Sequence, residues 1–161
     1  ANLLDGGAPF YRCYRAADGR FVAVGALEPQ FFEALARQLG LEERWHSDRM
    51  DKARWPELAA ILESIFLTRT RDEWVAVFEG TDCCVAPVLD WGEAPRHRHM
   101  ASRGSYFSAD GVTQAAPAPR FSRTPPGRPQ SGSRVDVDAL LGELGYDATA
   151  ISALRQAGTL S

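Results

Sequence analysis

The chain has 161 residues, of which 45% are hydrophobic and 24% charged, as in folded globular proteins. Its 18 basic and 21 acidic residues give a formal net charge of -3, which excludes a general attraction to nucleic acid or to an anionic membrane surface. No apolar run approaches the roughly 20 residues that are needed to cross a bilayer. We therefore expect a cytoplasmic protein with no nucleic-acid or membrane partner.

The first predicted element is a β-hairpin. The segments Phe10–Arg15 and Arg20–Val24 flank Ala17-Asp18-Gly19. Asp-Gly between two strand-like segments is a strong signal for a hairpin turn. This turn accounts for Asp18 without any catalytic role.

Three amphipathic helices are predicted next. The first begins at Pro29 and ends at Gly40, and a polar connection follows over residues 42–54. The second begins at Trp55, and the third follows Thr70-Arg71-Asp72-Glu73, a capping-box pattern. The apolar stripes that predict these helices comprise Phe31, Phe32, Leu35, Leu39, Leu58, Ile61, Leu62, Ile65, Phe66, Trp74, Val77 and Phe78.

The second half of the chain is poorer in regular patterns. Cys84–Leu89 is a short apolar strand whose Pro87 favours a sheet edge, and Ser105–Phe107 is a candidate for another strand. Ala115–Arg134 contains many prolines and arginines, which predicts an extended arm. Helical patterning returns over Val137–Leu144 and Thr149–Leu154. Together these elements predict an α+β fold, with an antiparallel β-hairpin or sheet and about three helices in a small domain.

Cysteine and histidine are too sparse to predict a metal site. Cys83 and Cys84 are adjacent, Cys13 is far away in sequence, and no CxxC pair exists. We expect the three cysteines to be reduced residues of a core. Of the three histidines, His97 and His99 lie in an arginine-rich stretch that predicts a solvated loop or helix end.

The junction between the predicted second strand and the first helix holds a carboxylate. Glu28 directly precedes Pro29, so it lies at the end of a strand and beside the positive end of a helix dipole. Glu is a weaker N-cap than Asp, Asn or Ser. Glu28 is therefore a candidate for holding a charge for chemistry, and an ordinary helix start is the alternative.

Several sequence blocks also carry a resemblance to a known family. They are Asn2–Tyr11, the run Val24-Gly25-Ala26-Leu27-Glu28-Pro29-Gln30-Phe31, Arg54–Glu57, Thr81–Leu89, Ala116–Ser122 and Leu144–Gly158. These blocks resemble the C-terminal half of the α-methylacyl-CoA racemase branch of the class III CoA-transferase superfamily. The first block is specific to that branch, and the tail is shared more widely in the superfamily.

The resemblance implies an isomerase reaction. Family members of this branch interconvert (R)- and (S)-2-methylacyl-CoA by removing and returning the α-proton through an enolate-like intermediate. A His and an Asp of an N-terminal, Rossmann-like large domain act as acid and base, and a Glu of the small domain contacts the His. Glu28 matches that Glu, and we expect Tyr11 and Leu27 to bind substrate. No cofactor or metal is expected, because the CoA thioester is itself the substrate.

The resemblance also divides the chain. It implies a linker over 1–11, the small α+β domain over 12–100, an extended arm over 101–134 and, over 135–161, helices that complete the Rossmann-like large domain. The family's catalytic His and Asp precede the first residue of this chain, and its own histidines do not match them. We therefore expect a fragment, since the chain does not begin with Met, and expect it to be inactive alone.

The implied partners are an acyl-CoA substrate, the chain's own N-terminal large domain and a second subunit. In the family, an interlocked homodimer lets the small domain of one subunit complete the site of the other. Two alternatives remain open. One is a class III CoA transferase, which uses an aspartyl nucleophile, and the other is a non-catalytic dimerising domain.

Overall fold

The computed structural model describes residues 2–127 and 135–160 of the chain. It divides into two compact units, Ala1–Asp90 and Trp91–Ser161. Both helices and small antiparallel sheets are present, so the predicted α+β class is confirmed. The domain limits that the sequence implies, with a small domain over 12–100, stay a prediction.

The first unit is built on a three-stranded antiparallel sheet. Its strands are β1 (Tyr11–Arg15), β2 (Phe21–Gly25) and β3 (Val85–Pro87), in the order β1-β2-β3. The hairpin turn is as predicted, with the Asp18 carboxylate accepting a hydrogen bond from the Arg20 amide at 3.1 Å. Pro87 lies on an edge strand, where its missing N–H costs no ladder bond.

Four helices pack with this sheet. They are α1 (Pro29–Leu39), α2 (Trp45–Asp48), α3 (Trp55–Phe66) and α4 (Arg71–Phe78). The capping box at α4 is complete, because Thr70 Oγ1 accepts from the Glu73 amide and the Glu73 carboxylate accepts from the Thr70 amide. Gly40 ends α1 in the left-handed conformation, at φ 67°.

One face of the sheet forms the floor of an aromatic core. Tyr14, Val22 and Val24 alternate with exposed or half-buried neighbours, so they share this face. Against them lie the fully or almost fully buried rings of the helices and of the segment before β1: Phe10, Phe32, Trp45, Trp55, Phe66, Trp74 and Phe78. The opposite face of the sheet therefore carries the residues that stay accessible.

The predicted polar connection over 42–54 is partly wrong. It contains α2 and a 3-10 turn, Lys52–Arg54, and Trp45 in α2 is fully buried. A single large apolar residue in a polar stretch gives no periodicity, so the pattern did not predict a helix. The Trp45 ring packs into the core, so the connection over 42–54 lies against the core.

The second unit contains short helices and a hairpin. Its elements are α5 (Arg98–Ser102), β4 (Tyr106–Ala109), β5 (Val112–Ala115), α6 (Val137–Glu143) and α7 (Ala148–Gln156). The strand predicted at Ser105–Phe107 is confirmed, and so are both C-terminal helices. The hairpin partner β5 was not predicted and lies within the expected arm of 101–134. Residues Arg128–Arg134, at the end of that arm, lie outside the described part of the chain.

A membrane-crossing helix is missing from the described part of the chain, since no helix there has the length and apolar character that a bilayer requires.

The contribution of the α4 capping box to stability can be tested directly. Thr70→Ala removes the hydroxyl that accepts from the Glu73 amide, and we expect the free energy of unfolding to fall by about 1 kcal/mol. Urea unfolding followed by tryptophan fluorescence measures the change. An unchanged unfolding midpoint would show that α4 needs no cap once it is packed.

Candidate active-site corner

The corner between β2 and α1, residues Gly25–Glu28, holds the predicted site. Glu28 is the N-cap residue of α1 and has extended backbone angles, φ -74° and ψ 148°. Pro29 occupies the first turn of the helix, as the sequence predicted. The chain therefore changes from strand to helix at the carboxylate.

The side chain of Glu28 is not used as a helix cap. It is exposed, and it makes no hydrogen bond to the amides at the start of α1. The carboxylate nevertheless belongs to the residue at the N-terminal end of the helix. The backbone of Glu28 is thus fixed, and its carboxylate has acceptor capacity that its own helix does not use.

Main-chain hydrogen bonds fix the corner on the sheet side. The Gly25 amide donates to the Cys84 carbonyl at 2.9 Å, and the Leu27 amide donates to the Gly25 carbonyl at 2.9 Å. On the helix side, the Phe32 amide donates to the Glu28 carbonyl at 3.0 Å. Nothing in the corner depends on the Glu28 carboxylate.

A buried arginine also holds the corner, from the side of the core. Nη1 of Arg49 donates to the Leu27 carbonyl at 2.9 Å, and Arg49 is only 8% exposed. Leu27 is half-buried, and its side chain packs against the core. Its predicted role in substrate binding stays a prediction, and the structure assigns its main chain a clear place in holding the corner.

Tyr11 lies on the accessible face of the sheet, directly opposite Gly25 in the β1–β2 register. It is 37% exposed, and its ring atom Cε2 is 3.9 Å from the position that a β-carbon would take on Gly25. The glycine therefore leaves the ring edge uncovered. The structure thus brings Tyr11 to the strand end from which the Glu28 corner departs.

An open groove of about 450 Å³ runs over this face. Its lining is Leu4, Gly6, Tyr11, Arg12, Cys13, Ala23, Val24, Gly25, Cys84 and Ala86. Small side chains dominate the middle of the groove, since Cys13, Ala23 and Ala86 lie side by side across the three strands. Such a surface suits an apolar group better than a charged one. Leu27 is not part of this lining.

Cys84 is a site residue that the sequence did not identify. It has a left-handed backbone, at φ 51°, which is uncommon for a residue other than glycine. Partial burial raises the pKa of the Cys84 thiol, and the negative charges of Glu28 and Asp82 raise it further. The block Thr81–Leu89 contains this residue but does not single it out, because its proximity to Glu28 arises only when β3 pairs with β2.

The cysteines differ from the expected core residues. Only Cys83 is buried, whereas Cys13 and Cys84 are exposed. Within the described residues, no group of three His, Cys, Asp or Glu side chains could hold a metal ion. What the corner offers chemically is a carboxylate acceptor beside an apolar groove.

The effect of Glu28 on Cys84 can be measured directly. In a Cys13→Ser background, Cys84 is the exposed thiol, and its rate of alkylation by iodoacetamide against pH reports its pKa. Glu28→Gln removes a negative charge that disfavours the thiolate, so we expect the midpoint to move to lower pH. Glu33→Gln, an exposed carboxylate within α1, serves as the control and should leave the midpoint in place. Equal midpoints for Glu28→Gln and the parent would contradict this arrangement.

Comparison with known proteins agrees with the resemblance seen in the sequence. The chain is 46% identical over 125 residues to an α-methylacyl-CoA racemase of Mus musculus, a match that covers 77% of this chain and 33% of the relative. It is 45% identical over 125 residues to the Homo sapiens protein of the same name, with the same coverage of 77% and 33%. The chain thus spans about a third of the length of these curated relatives.

Solved structures show the same fold at lower identity. The Mycobacterium tuberculosis protein Rv3272 superposes with a TM-score of 0.59 and 18% identity, over 71% of this chain and 35% of that protein. The model of CoA-transferase family III matches residues 2–133, which is most of the sequence. On this evidence the chain belongs to CoA-transferase family III.

Proposed function

We propose that this chain provides the Glu28 side of an α-methylacyl-CoA racemase active site. The reaction interconverts (R)- and (S)-2-methylacyl-CoA by removing the α-proton and returning it to either face. One observation carries the proposal: an exposed carboxylate at a rigid strand-to-helix corner is not used as a cap, in a chain 46% identical to a racemase.

The chemistry requires more than one carboxylate. Removing a proton next to a thioester and returning it on the opposite face needs an acid/base group on each side of the α-carbon. It also needs stabilisation of the negative charge that develops on the thioester oxygen. The family resemblance assigns the acid/base roles to a His and an Asp of the large domain.

Glu28 fits a supporting role in this scheme. Its carboxylate can accept a hydrogen bond from the catalytic His, which fixes the orientation of the ring and favours its protonated form. Because the corner is held through its main chain, the backbone of Glu28 needs no rearrangement for the carboxylate to accept this bond. A carboxylate presented from a fixed backbone contributes to catalysis through preorganisation.

The groove on the accessible face of the sheet is our candidate for contact with the acyl group. Its small, mostly apolar lining matches a branched hydrocarbon, and Tyr11 stands at the end nearest the corner. We propose that Tyr11 packs against the substrate and that Leu27 contributes through its exposed edge. The CoA thioester is substrate, and the proposal includes no further cofactor.

The proposed partners are an N-terminal large domain and a second subunit. Exposed apolar side chains in and beside α6 support a partner for the second unit. Leu140, Leu144 and Tyr146 are 46%, 67% and 47% exposed. An amphipathic helix with such a face is stable when another surface covers it.

The test is α-proton exchange in the longer polypeptide in which this chain follows its large domain. Incubated with a 2-methylacyl-CoA in D₂O, it should exchange the α-proton and racemise the substrate. Glu28→Gln should lower kcat by at least about tenfold, because the acid/base group loses its acceptor. The 161-residue chain alone should show no exchange.

Glu33→Gln is the matched control, since it removes an equivalent exposed carboxylate from α1 without approaching the corner. Unchanged kinetics in Glu28→Gln, or exchange by the isolated chain, would overturn the proposal. Transfer of CoA to an acceptor carboxylate without α-exchange would identify a CoA transferase instead.

A further inference from the structure

Arg49 is a buried charge with no acidic partner among the described residues. It follows α2 directly and is 8% exposed, yet its ion-pairing distance to every described carboxylate exceeds 4.0 Å. Arginine is rarely buried unless its charge is compensated. The residues around the guanidinium should therefore show how its charge is compensated and what it binds.

Two aromatic rings hold the guanidinium. Its central carbon lies 5.3 Å from the ring centre of Phe10 and 5.5 Å from that of Phe32. The two rings meet edge to face, with centres 5.9 Å apart. Cation–π attraction at these distances offsets part of the cost of removing the charge from water.

The main chain of Arg49 is fixed as well. Nε1 of Trp55 donates to the Arg49 carbonyl at 2.8 Å, and Trp55 is itself 4% exposed. The Trp55 ring packs edge to face on Phe10, with centres 6.0 Å apart. Both ends of the arginine are therefore held by the same aromatic group, which leaves the guanidinium little freedom.

From this fixed position Nη1 of Arg49 donates to the Leu27 carbonyl at 2.9 Å. That carbonyl and the amide of Glu28 belong to one planar peptide unit. Fixing the direction of the carbonyl therefore fixes the amide nitrogen from which Glu28 begins. Arg49 can therefore determine the position of the Glu28 backbone without contacting the Glu28 side chain.

We propose that Arg49 is a positioning residue that holds the Glu28 carboxylate in its catalytic place through the Leu27–Glu28 peptide. The inference rests on the proposed function of Glu28, and it adds a residue that lies 21 positions away in sequence and belongs to the core. A residue that only filled space could be replaced by an apolar side chain of similar length. A positioning residue could not.

The first experiment tests the position of the Glu28 carboxylate and does not depend on enzyme activity. In the 161-residue chain with Cys13→Ser, the pH midpoint of Cys84 alkylation reports how close the Glu28 charge lies. The other causes that raise the Cys84 pKa are burial, the charge of Asp82 and the neighbouring Cys83, and Arg49 is not among them. We expect Arg49→Met to move the midpoint toward that of Glu28→Gln, and Arg49→Lys, which keeps a cation and an N–H donor, to move it less.

The double variant Arg49→Met/Glu28→Gln separates positioning from a general loosening of the fold. Once the Glu28 charge is gone, Arg49→Met should cause no further shift of the Cys84 midpoint. A folded Arg49→Met variant with the parent midpoint would overturn the inference. So would a shift of equal size in the Glu28→Gln background.

Near-UV circular dichroism establishes whether Arg49→Met is folded. If it is not, Trp55→Phe decides, because it keeps an aromatic ring in the core and removes the hydrogen bond that fixes the Arg49 main chain, together with part of the buried indole. The Cys84 midpoint should then move in the same direction as in Glu28→Gln. A folded Trp55→Phe variant with the parent midpoint would overturn the inference.

The second experiment uses kinetics in the longer polypeptide. Arg49→Met should lower kcat for α-proton exchange by at least about tenfold and leave KM within about twofold, because substrate still meets an intact groove. Arg49→Lys should recover part of the loss. A shifted Cys84 midpoint without any exchange activity in the parent would refute the proposed function and leave the positioning role standing.

Discussion

The hydrogen bond between the buried guanidinium of Arg49 and the Leu27 carbonyl joins the corner to the aromatic core. A strand that turns into a helix within three residues has several possible directions. Here the aromatic core fixes one direction of the chain. Phe10 and Phe32 contact the guanidinium of Arg49, and Trp55 forms a hydrogen bond with the Arg49 main chain. The charge would be costly in this place if it bonded to nothing.

The arrangement separates the two tasks of the corner. Main-chain groups of Gly25, Leu27 and Glu28 carry the bonds that fix its shape, and the carboxylate takes part in none of them. A functional group that also served as the helix cap would lose that bond whenever it engaged substrate or another catalytic group. The separation therefore lets the carboxylate act without disturbing the helix that presents it.

Most of the regular elements could be predicted because their signals are local. The Asp18-Gly19 turn, the proline at the start of α1 and the capping box at Thr70 each lie within a few residues of what they determine. The small helix around Trp45 and the strand Val112–Ala115 were missed, since neither has an apolar period. Short polar segments gain their structure from what they pack or pair with.

The candidate site divides in the same way. Glu28 could be named as a candidate because a carboxylate before Pro29 is an unusual helix start, and Tyr11 because it belongs to a recognisable block. Cys84 also lies in such a block, but its proximity to Glu28, like the contact of Arg49 with Leu27, involves a partner far away in sequence, at 56 and 22 positions respectively. The sequence of a polar stretch does not show whether an arginine side chain lies in water or between two aromatic rings.

The most direct measurement is a crystal structure of the longer polypeptide with an unreactive thioether analogue of a 2-methylacyl-CoA. Our expectation is that the Glu28 carboxylate lies within about 3.2 Å of a catalytic side chain of the large domain, and that this side chain faces the α-carbon. An α-carbon bound far from the β2–α1 corner, with Glu28 surrounded only by water, would contradict it.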